Sequence, residues 1–242
     1  MSELELIHWD PQSPYVVAFS TRRGGVSEGV FESLNLSHGP NWWRYADQPE
    51  HVEENRRRLC AALGVDPQRL TLNRQTHSAR VNRAQAGRRG EPGDGLWSDE
   101  AEVPMLKLVA DCVPIAIARR GGAPALAVLH AGRLGLLDGV VAAGARALAD
   151  GDLAAVVGPS IGPCCYQVRE DVAAPFRARF GRDVVRGAKL DLWTAAERAL
   201  RRAGLSSVET LGLCTACDAD RFFSHRRDGN PRGSQGVLGL IR

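Results

Sequence analysis

Three short apolar runs in the middle of the chain constrain its fold more than any other feature. They read PMLKLVA (104–110), VPIAIA (113–118) and PALAVLH (124–130). Each run is too short for a typical helix, contains β-branched residues, and is bounded by Asp, Gly or Pro. Because the runs are apolar throughout and do not alternate with polar residues, they predict strands that are buried on both faces.

The N-terminal part predicts further strands and one helix. We expect a strand at YVVAFS (15–20), a strand or hairpin over residues 70–84 and a loop over 85–95. Between them DQPEHVEENRRRLCAALG predicts a helix, with Asp47 and Glu50 as a capping box and Gly64 as its end.

The C-terminal part continues this mixture. LLDGVVAAGARALAD predicts a helix and LAAVVG a strand, followed by the loop PSIGPCCYQV. DLWTAAERALRRAG predicts a helix capped by Asp191 and ended by Gly204, and SQGVLGLI predicts a last strand. Since no repeat and no linker-like composition divides the 242 residues, we predict a single domain over residues 1–242, of mixed α and β structure.

Composition excludes several classes of protein. The net charge is +3, and the basic residues are interspersed with acids, which is too mild for a dedicated nucleic-acid-binding protein. The longest apolar runs are far too short to cross a bilayer, and the N-terminus has no signal-peptide pattern. We therefore expect a cytoplasmic protein without membrane partners, either a monomer or a small homo-oligomer.

Six cysteines in such a chain indicate thiols or metal ligands more than disulfides. Cys164 and Cys165 are adjacent, and Cys214-x-x-Cys217 has the spacing of a zinc ligand pair. A four-cysteine zinc site built from both pairs is conceivable, but no second C-x-x-C motif supports it.

Polar residues at the ends of the apolar runs are candidates for chemistry. His77, Cys112 and His130 are distant in sequence, so only the fold can bring them together. Two imidazoles and a thiolate would leave the fourth position of a zinc ion open for substrate or water, as in catalytic sites. Asp111 can orient a ligand, accept a proton or cap a turn. Two alternatives stay open: a Cys112 nucleophile with a histidine base, and ordinary buried residues.

Common nucleotide-loop, zincin and hydrolase motifs are absent from the sequence. Instead, a series of motifs resembles the bacterial YfiH-type laccase-domain family, also described as multicopper polyphenol oxidases and as purine nucleoside phosphorylases. The motifs are STRRGGVSEGVFESLNL, HVEENRRRL, RQTHSARV, VADCVPI, VLHAG, GPSIGPCCYQV, LDLW and FFSHRRDG. They cover the chain from about residue 15 to its end.

The resemblance implies a compact YfiH-like fold, with central β-sheets sandwiched by helices. It implies one metal on His77, Cys112 and His130, and activity on purine nucleosides with phosphate (adenosine, inosine, guanosine and methylthioadenosine), with adenosine deamination in addition. Zinc is the expected ion, and copper with phenol oxidation is the alternative. Only two of the six histidines occupy the metal-ligand positions of the family motifs, whereas a multicopper oxidase needs a large histidine set.

The same comparison suggests the other site residues. Arg22 in the TRRGG turn is predicted to hold phosphate, and Asp94 and Asp111 to transfer protons or orient ligands. Arg226 either supplies positive charge or, like Arg227, pairs with Asp228, while Phe222 and Phe223 are predicted to be core.

The sequence departs from the family at three motifs. HAGRLG replaces HAGWRG, so Arg133 stands one position before the family arginine, and a weakened, nucleoside-binding member is a further alternative. Ser78 replaces a glycine after His77, and His225 replaces a tyrosine.

Overall fold

The computed structural model describes residues 3–12, 14–39, 46–149 and 151–242, which form fourteen strands and six α-helices. The strands are β1 (Leu6–Trp9), β2 (Tyr15–Ser20), β3 (Leu72–Arg74), β4 (Val81–Arg83), β5 (Arg89–Pro92), β6 (Gly95–Ser98), β7 (Met105–Val109), β8 (Val113–Arg119), β9 (Leu126–Ala131), β10 (Leu153–Val157), β11 (Val185–Arg186), β12 (Lys189–Leu190), β13 (Ser207–Thr210) and β14 (Gln235–Ile241). The helices are α1 (Pro49–Ala62), α2 (Arg133–Asp138), α3 (Val140–Ala147), α4 (Glu170–Phe180), α5 (Leu192–Arg202) and α6 (His225–Asp228). Short 3-10 turns lie at Gly29–Phe31, Pro67–Arg69 and Arg182–Val184.

Two sheets carry most of the strands. A four-stranded sheet has the order β1-β2-β14-β7, and a six-stranded sheet has the order β13-β10-β8-β9-β6-β4. The pairs β10/β13 and β4/β6 are parallel, and all other neighbours in the two sheets are antiparallel. β11 with β12, and β3 with β5, form two small ribbons.

Alternation along the strands explains how the sheets are layered. Successive strand residues face opposite sides, so Phe19 packs between the two sheets while Ala18 packs with α1. In β8, Ala116 faces the four-stranded sheet and Ile117 packs under α2 to α5. The layers are therefore α1, the four-stranded sheet, the six-stranded sheet and the remaining long helices. This confirms the expected mixed fold with sheets between helices.

The three central runs are the strands β7, β8 and β9, as predicted, and the strands at 15–20, 153–158 and the C-terminus are confirmed. The helix ended by Gly64 is α1, and the one capped by Asp191 is α5, where the Asp191 carboxylate accepts from the Thr194 amide at 3.0 Å. Gly64 and Gly204 both have positive φ, which lets the chain leave each helix.

Other local predictions were wrong. α1 has no capping box, because Asp47 accepts from the Ser27 hydroxyl at 2.6 Å and from Asn35 at 2.8 Å, which places it in a buried polar cluster. The prediction of a strand or hairpin over residues 70–84 is wrong only for the hairpin: the strands β3 and β4 form there, but β3 pairs with β5 and β4 with β6. The predicted loop over 85–95 contains β5.

Two helices also differ from the sequence prediction. The helix expected over 136–150 begins at Arg133 and is broken at Gly139, where φ is +94° and the chain turns from α2 into α3. α4 was not predicted, since its charged residues and internal Pro175 hide the apolar face that buries Phe176. Among the described residues, no helix combines the length and the apolar character needed to cross a membrane.

Candidate metal centre and active site

The central strands bring the three predicted metal ligands together. Cys112 directly precedes β8 and His130 lies in β9, and these antiparallel neighbours place Pro114 opposite His130. His77 arrives on the loop between β3 and β4. One potential ligand atom of each residue lies within 4.8 Å of the other two, and the two imidazole rings meet edge to face with centroids 4.9 Å apart. The structure thus builds the predicted triad.

Asp94 organises this cluster. It is fully buried, and its Oδ2 accepts from the amide and hydroxyl of Thr76 (3.1 and 3.2 Å) and of Ser78 (2.7 and 2.8 Å). Its Oδ1 accepts from the His77 amide at 3.0 Å and lies 2.9 Å from Nδ1 of His130. Burial by itself raises the pKa of Asp94, but hydrogen bonds from His130 and Ser78 outweigh it and hold the pKa far below its usual range. The residue therefore stays a carboxylate that orients both histidines.

The serine that replaces a glycine after His77 has a role in this network. The Ser78 hydroxyl donates to Asp94 in addition to the Ser78 amide, so the departure adds a hydrogen bond to the buried carboxylate. His77 has φ +58°, an uncommon conformation for a side chain with a Cβ. The three consecutive amides that point at Asp94 hold His77 in that conformation.

The protonation states suit metal binding. Burial lowers the pKa of His130 to about 4, so its imidazole is neutral at pH 7. Because Nδ1 faces the Asp94 carboxylate, it carries the ring proton, and Nε2 keeps the lone pair needed by a ligand. Burial raises the pKa of Cys112 to about 12, an effect that Asp111 reinforces, so this thiol needs a cation to become a thiolate.

The donor set fits a zinc ion with an open position. Two nitrogens and one sulfur surround a common centre, and exposure falls from His77 (exposed) through Cys112 to buried His130. Gly132 closes the site from below, since a Cβ there would lie 3.0 Å from Cδ2 of His77 and 3.1 Å from Sγ of Cys112. His77 is the most exposed of the three residues, and His130 is the most buried.

Asp111 joins the centre to the C-terminal loops. Its two oxygens accept from the Thr215 hydroxyl and from the Arg226 amide, both at 2.6 Å. Its φ is +87°, which turns the chain sharply between β7 and Cys112. These contacts hold α6 against the centre, and neither partner is one of the three candidate metal ligands, so the orienting and proton-transfer roles of Asp111 stay predictions.

The two arginines of the FFSHRRDG motif have different contacts. Arg227 pairs with Asp228 at 2.7 Å, whereas Arg226 donates to the Gln167 carbonyl and lies 5.0 Å above the Tyr166 ring. Phe222 and Phe223 are fully buried, which confirms their assignment to the core.

A positive rim, formed by Arg133, Arg226 and Arg232, lies beside Cys112, and the sequence reasoning identified it only in part. The charges of Arg232 and Arg133 both lower the pKa of Cys112 against the effect of burial. Burial raises the pKa of Tyr166, and Arg133 and Arg226 oppose that rise. Positive charge from Arg133 and Arg232 therefore acts on the thiol, and positive charge from Arg133 and Arg226 acts on the phenol. The sequence pointed to Arg226 in FFSHRRDG and to the arginine at position 133 in the HAG motif, and it missed Arg232.

Arg22 lies apart from these groups. Its Nε and Nη1 donate to the carbonyls of Glu32 (2.7 Å) and Ala219 (3.1 Å), and its guanidinium lies 4.5 Å from the Phe223 ring. The contacts anchor the TRRGG turn, and none of them joins Arg22 to the triad. Its role in phosphate binding stays a prediction.

Comparison with known proteins identifies the class to which this fold and site belong. The family model described as "Multi-copper polyphenol oxidoreductase laccase" matches residues 16–241, and the chain belongs to this family. The resemblance drawn from the motifs is confirmed.

Individual relatives narrow the comparison. A protein of Xylella fastidiosa (strain 9a5c) named purine nucleoside phosphorylase is 38% identical over 237 residues, covering 90% of each chain. Purine nucleoside phosphorylase YfiH of Escherichia coli K12 is 32% identical, covering 94% of this chain and 95% of its own. The crystal structure of YlmD from Geobacillus stearothermophilus superimposes with a TM-score of 0.88 at 29% identity, covering 100% of this chain and 98% of its own.

Proposed function

We propose that the protein is a purine nucleoside phosphorylase that uses one zinc ion bound by His77, Cys112 and His130. The observation that carries the proposal is a three-donor site beside a rim of arginines. Zinc suits polarisation of a substrate atom, and guanidinium groups suit the second substrate, phosphate. The names of the relatives in Xylella and Escherichia support the same activity. Six free cysteines accord with a reaction in the cytoplasm.

In the proposed reaction, a phosphate oxygen forms a bond to C1′ of the ribose as the bond from C1′ to the purine nitrogen breaks. The electron pair leaves with the base, which takes up a proton, and the other product is ribose-1-phosphate, or 5-methylthioribose-1-phosphate when the substrate is methylthioadenosine. The proposed substrates are adenosine, inosine, guanosine and S-methyl-5′-thioadenosine. Bound zinc would supply Lewis-acid stabilisation of negative charge on an adjacent atom.

The chain's own residues have distinct parts in this proposal. We assign phosphate to Arg133 and Arg232 before Arg22, because both charges act on Cys112 while Arg22 donates to two backbone carbonyls. Asp94 fixes the tautomer of His130, and Asp111 fixes α6 and the backbone of Arg226. We therefore propose both aspartates as positioning residues.

The test measures adenine and ribose-1-phosphate formed from adenosine and phosphate. Wild type should form both in equal amounts, and Cys112→Ala should lose at least tenfold in rate, since a ligand of the metal is removed. Cys60→Ala is the matched control, because Cys60 is buried within the cluster under α1, away from the triad. Equal rates for wild type and Cys112→Ala would refute the proposal.

Adenosine deamination is proposed as a second activity of the same centre. Water would add to C6 of the base and ammonia would leave, a reaction that suits a metal with an open position. Inosine and ammonia should form without phosphate and should be lost together with phosphorolysis in Cys112→Ala.

The family description favours one alternative, a copper-dependent phenol oxidase. Among the described residues, however, the other group able to hold a metal consists of four cysteines and contains no histidine. Copper-loaded protein that oxidises phenols faster than it cleaves nucleosides would favour the oxidase. A protein that neither oxidises phenols nor cleaves nucleosides, but still binds nucleoside, would be the weakened, nucleoside-binding family member considered above.

A further inference from the structure

A second cluster of possible metal ligands lies outside the centre described above. Cys164 and Cys165 stand on the loop after β10, and Cys214 and Cys217 stand on the loop after β13. Their four sulfur atoms all lie within 4.8 Å of one another. The fold therefore supplies what the sequence lacked, a second pair of cysteines for the C-x-x-C motif.

The spacing of the sulfurs matches a tetrahedral ion. The Sγ of Cys217 lies 3.4 Å from that of Cys164 and 3.3 Å from that of Cys165. A zinc ion with four Zn–S bonds of ~2.3 Å places its sulfurs ~3.8 Å apart. This separation is slightly longer than the two distances from Cys217 and shorter than 4.8 Å, within which all four sulfurs lie. A disulfide would use two sulfurs of the cluster, whereas a tetrahedral ion uses all four.

Backbone contacts hold the two loops in register around the cluster. The Ser160 amide donates to the Leu213 carbonyl, and the Thr215 amide donates to the Ser160 carbonyl, both at 3.1 Å. The Gly162 amide donates to the Cys214 sulfur at 3.2 Å, and the Cys217 amide also donates to that sulfur. Amide donors to a cysteine sulfur are the outer contacts that orient a thiolate ligand.

We propose that Cys164, Cys165, Cys214 and Cys217 bind a second zinc ion, as a closed structural site. Each thiol gives up its proton on binding, so four protons are released and the complex carries two negative charges. Lys189, one of only two lysines in the chain, lies beside the cluster, with its Nζ 2.8 Å from the Cys164 carbonyl oxygen. Its ammonium would offset part of that charge.

The second ion would stabilise the wall of the first centre. Thr215 lies between the two cysteines of the C-x-x-C motif, and its hydroxyl donates to Asp111 beside Cys112. Tyr166 directly follows Cys165, and Ile161 donates its amide to the Asp111 carbonyl at 3.0 Å. A zinc ion that ties the two loops together would therefore fix the surroundings of Cys112 without contacting substrate.

The test separates the two sites by removing the first. Full-length Cys112→Ala with His77→Ala should still contain about one zinc per chain by elemental analysis. X-ray absorption should show four sulfur neighbours of that ion. Adding Cys217→Ser should abolish this zinc, and adding Cys217→His, which keeps a ligand, should retain it. This readout is independent of phosphorylase activity, so failure of the proposed function leaves it unaffected.

Three outcomes would overturn the inference: a zinc-free double variant that binds no added Zn²⁺ or Co²⁺, iron in place of zinc, or a disulfide among the four cysteines in unreduced protein. Should Cys217→Ser fail to fold, Co²⁺ titration of the folded double variant gives the answer by itself, since four-thiolate coordination produces strong visible absorption. The matched control, Cys60→Ser, should leave the zinc content unchanged.

Discussion

Replacing Asp94 with asparagine tests how the buried carboxylate prepares the metal centre. The amide can be placed in two ways. If its NH₂ takes the place of Oδ2, it faces the amides and hydroxyls of Thr76 and Ser78; the hydroxyls can turn to accept from it, but the two amides lose their acceptor. If the NH₂ group takes the place of Oδ1, it faces the His77 amide and Nδ1 of His130, so only the His77 amide loses its acceptor. The second orientation costs less, because each unsatisfied buried donor costs about 1–3 kcal/mol.

In that orientation the NH₂ group donates to Nδ1 of His130, so the ring proton moves to Nε2. The nitrogen that faces Cys112 and His77 then has no lone pair for a metal. We expect zinc affinity to fall 10- to 100-fold, about 1.4–2.7 kcal/mol, and the free energy of unfolding to fall by about 1–3 kcal/mol.

The assay is competition for zinc against a chromogenic chelator at pH 7, with thermal unfolding of the metal-free protein beside it. Asp171→Asn is the control, because it removes one carboxylate from an exposed pair with Arg169. If Asp94→Asn binds zinc within twofold of wild type, the tautomer of His130 does not depend on Asp94 and the reasoning fails.

Three further predictions concern the surroundings of the centre. Gly132→Ala should weaken zinc binding at least several-fold in the same competition assay, because the new Cβ would contact His77 and Cys112. Gly121→Ala is the control, since its Cβ would contact nothing within 4 Å, and equal effects of the two variants would contradict the prediction. Burial lowers the pKa of Lys107 to about 7 from 10.5, so between these values the unfolded chain binds the extra proton and stability rises with pH. From pH 7 to 9 this rise amounts to about 2–3 kcal/mol in urea unfolding, and it should be missing in Lys107→Met; parallel pH profiles would refute it. Leu238→Ala should lower the free energy of unfolding by about 2–5 kcal/mol in urea unfolding, because the Leu238 side chain is fully buried between α1 and the four-stranded sheet. Leu134→Ala should lower it far less, because the Leu134 side chain is 44% exposed.

The parts of the fold predicted from sequence are those with a strong local signal. β7, β8 and β9 are uniformly apolar, and α5 has both an N-terminal cap and a terminal glycine. The capping box at α1 failed because the Asp47 carboxylate accepts from Ser27 and Asn35, which are distant in sequence. Such competition between local and tertiary partners leaves no mark on the spacing of residues.

The candidate site divides in the same way. The triad was predicted because its residues lie near the ends of apolar runs and occupy family motifs. Asp94 was also predicted as a site residue, but the six hydrogen bonds that define its role could not be predicted from the sequence. The rim around Cys112 includes Arg232, which is more than a hundred residues from Cys112 in the sequence. No local pattern connects residues so far apart. The cysteine cluster depends on the contact of Ser160 with the loop of Cys214, which only the folded chain makes.

The hairpin between β8 and β9 has a practical consequence for protein engineering. Cys112 and His130 lie at one end of these strands, and the connection over residues 120–125 lies at the other, a strand of seven residues or ~23 Å away. A Cβ at Gly121 or Gly122 would meet nothing within 4 Å, so the connection is open at these two residues. New chain ends or an inserted reporter domain between Gly121 and Gly122 should leave both metal-ligand clusters intact, which makes this position suitable for attaching a fluorescent or affinity label.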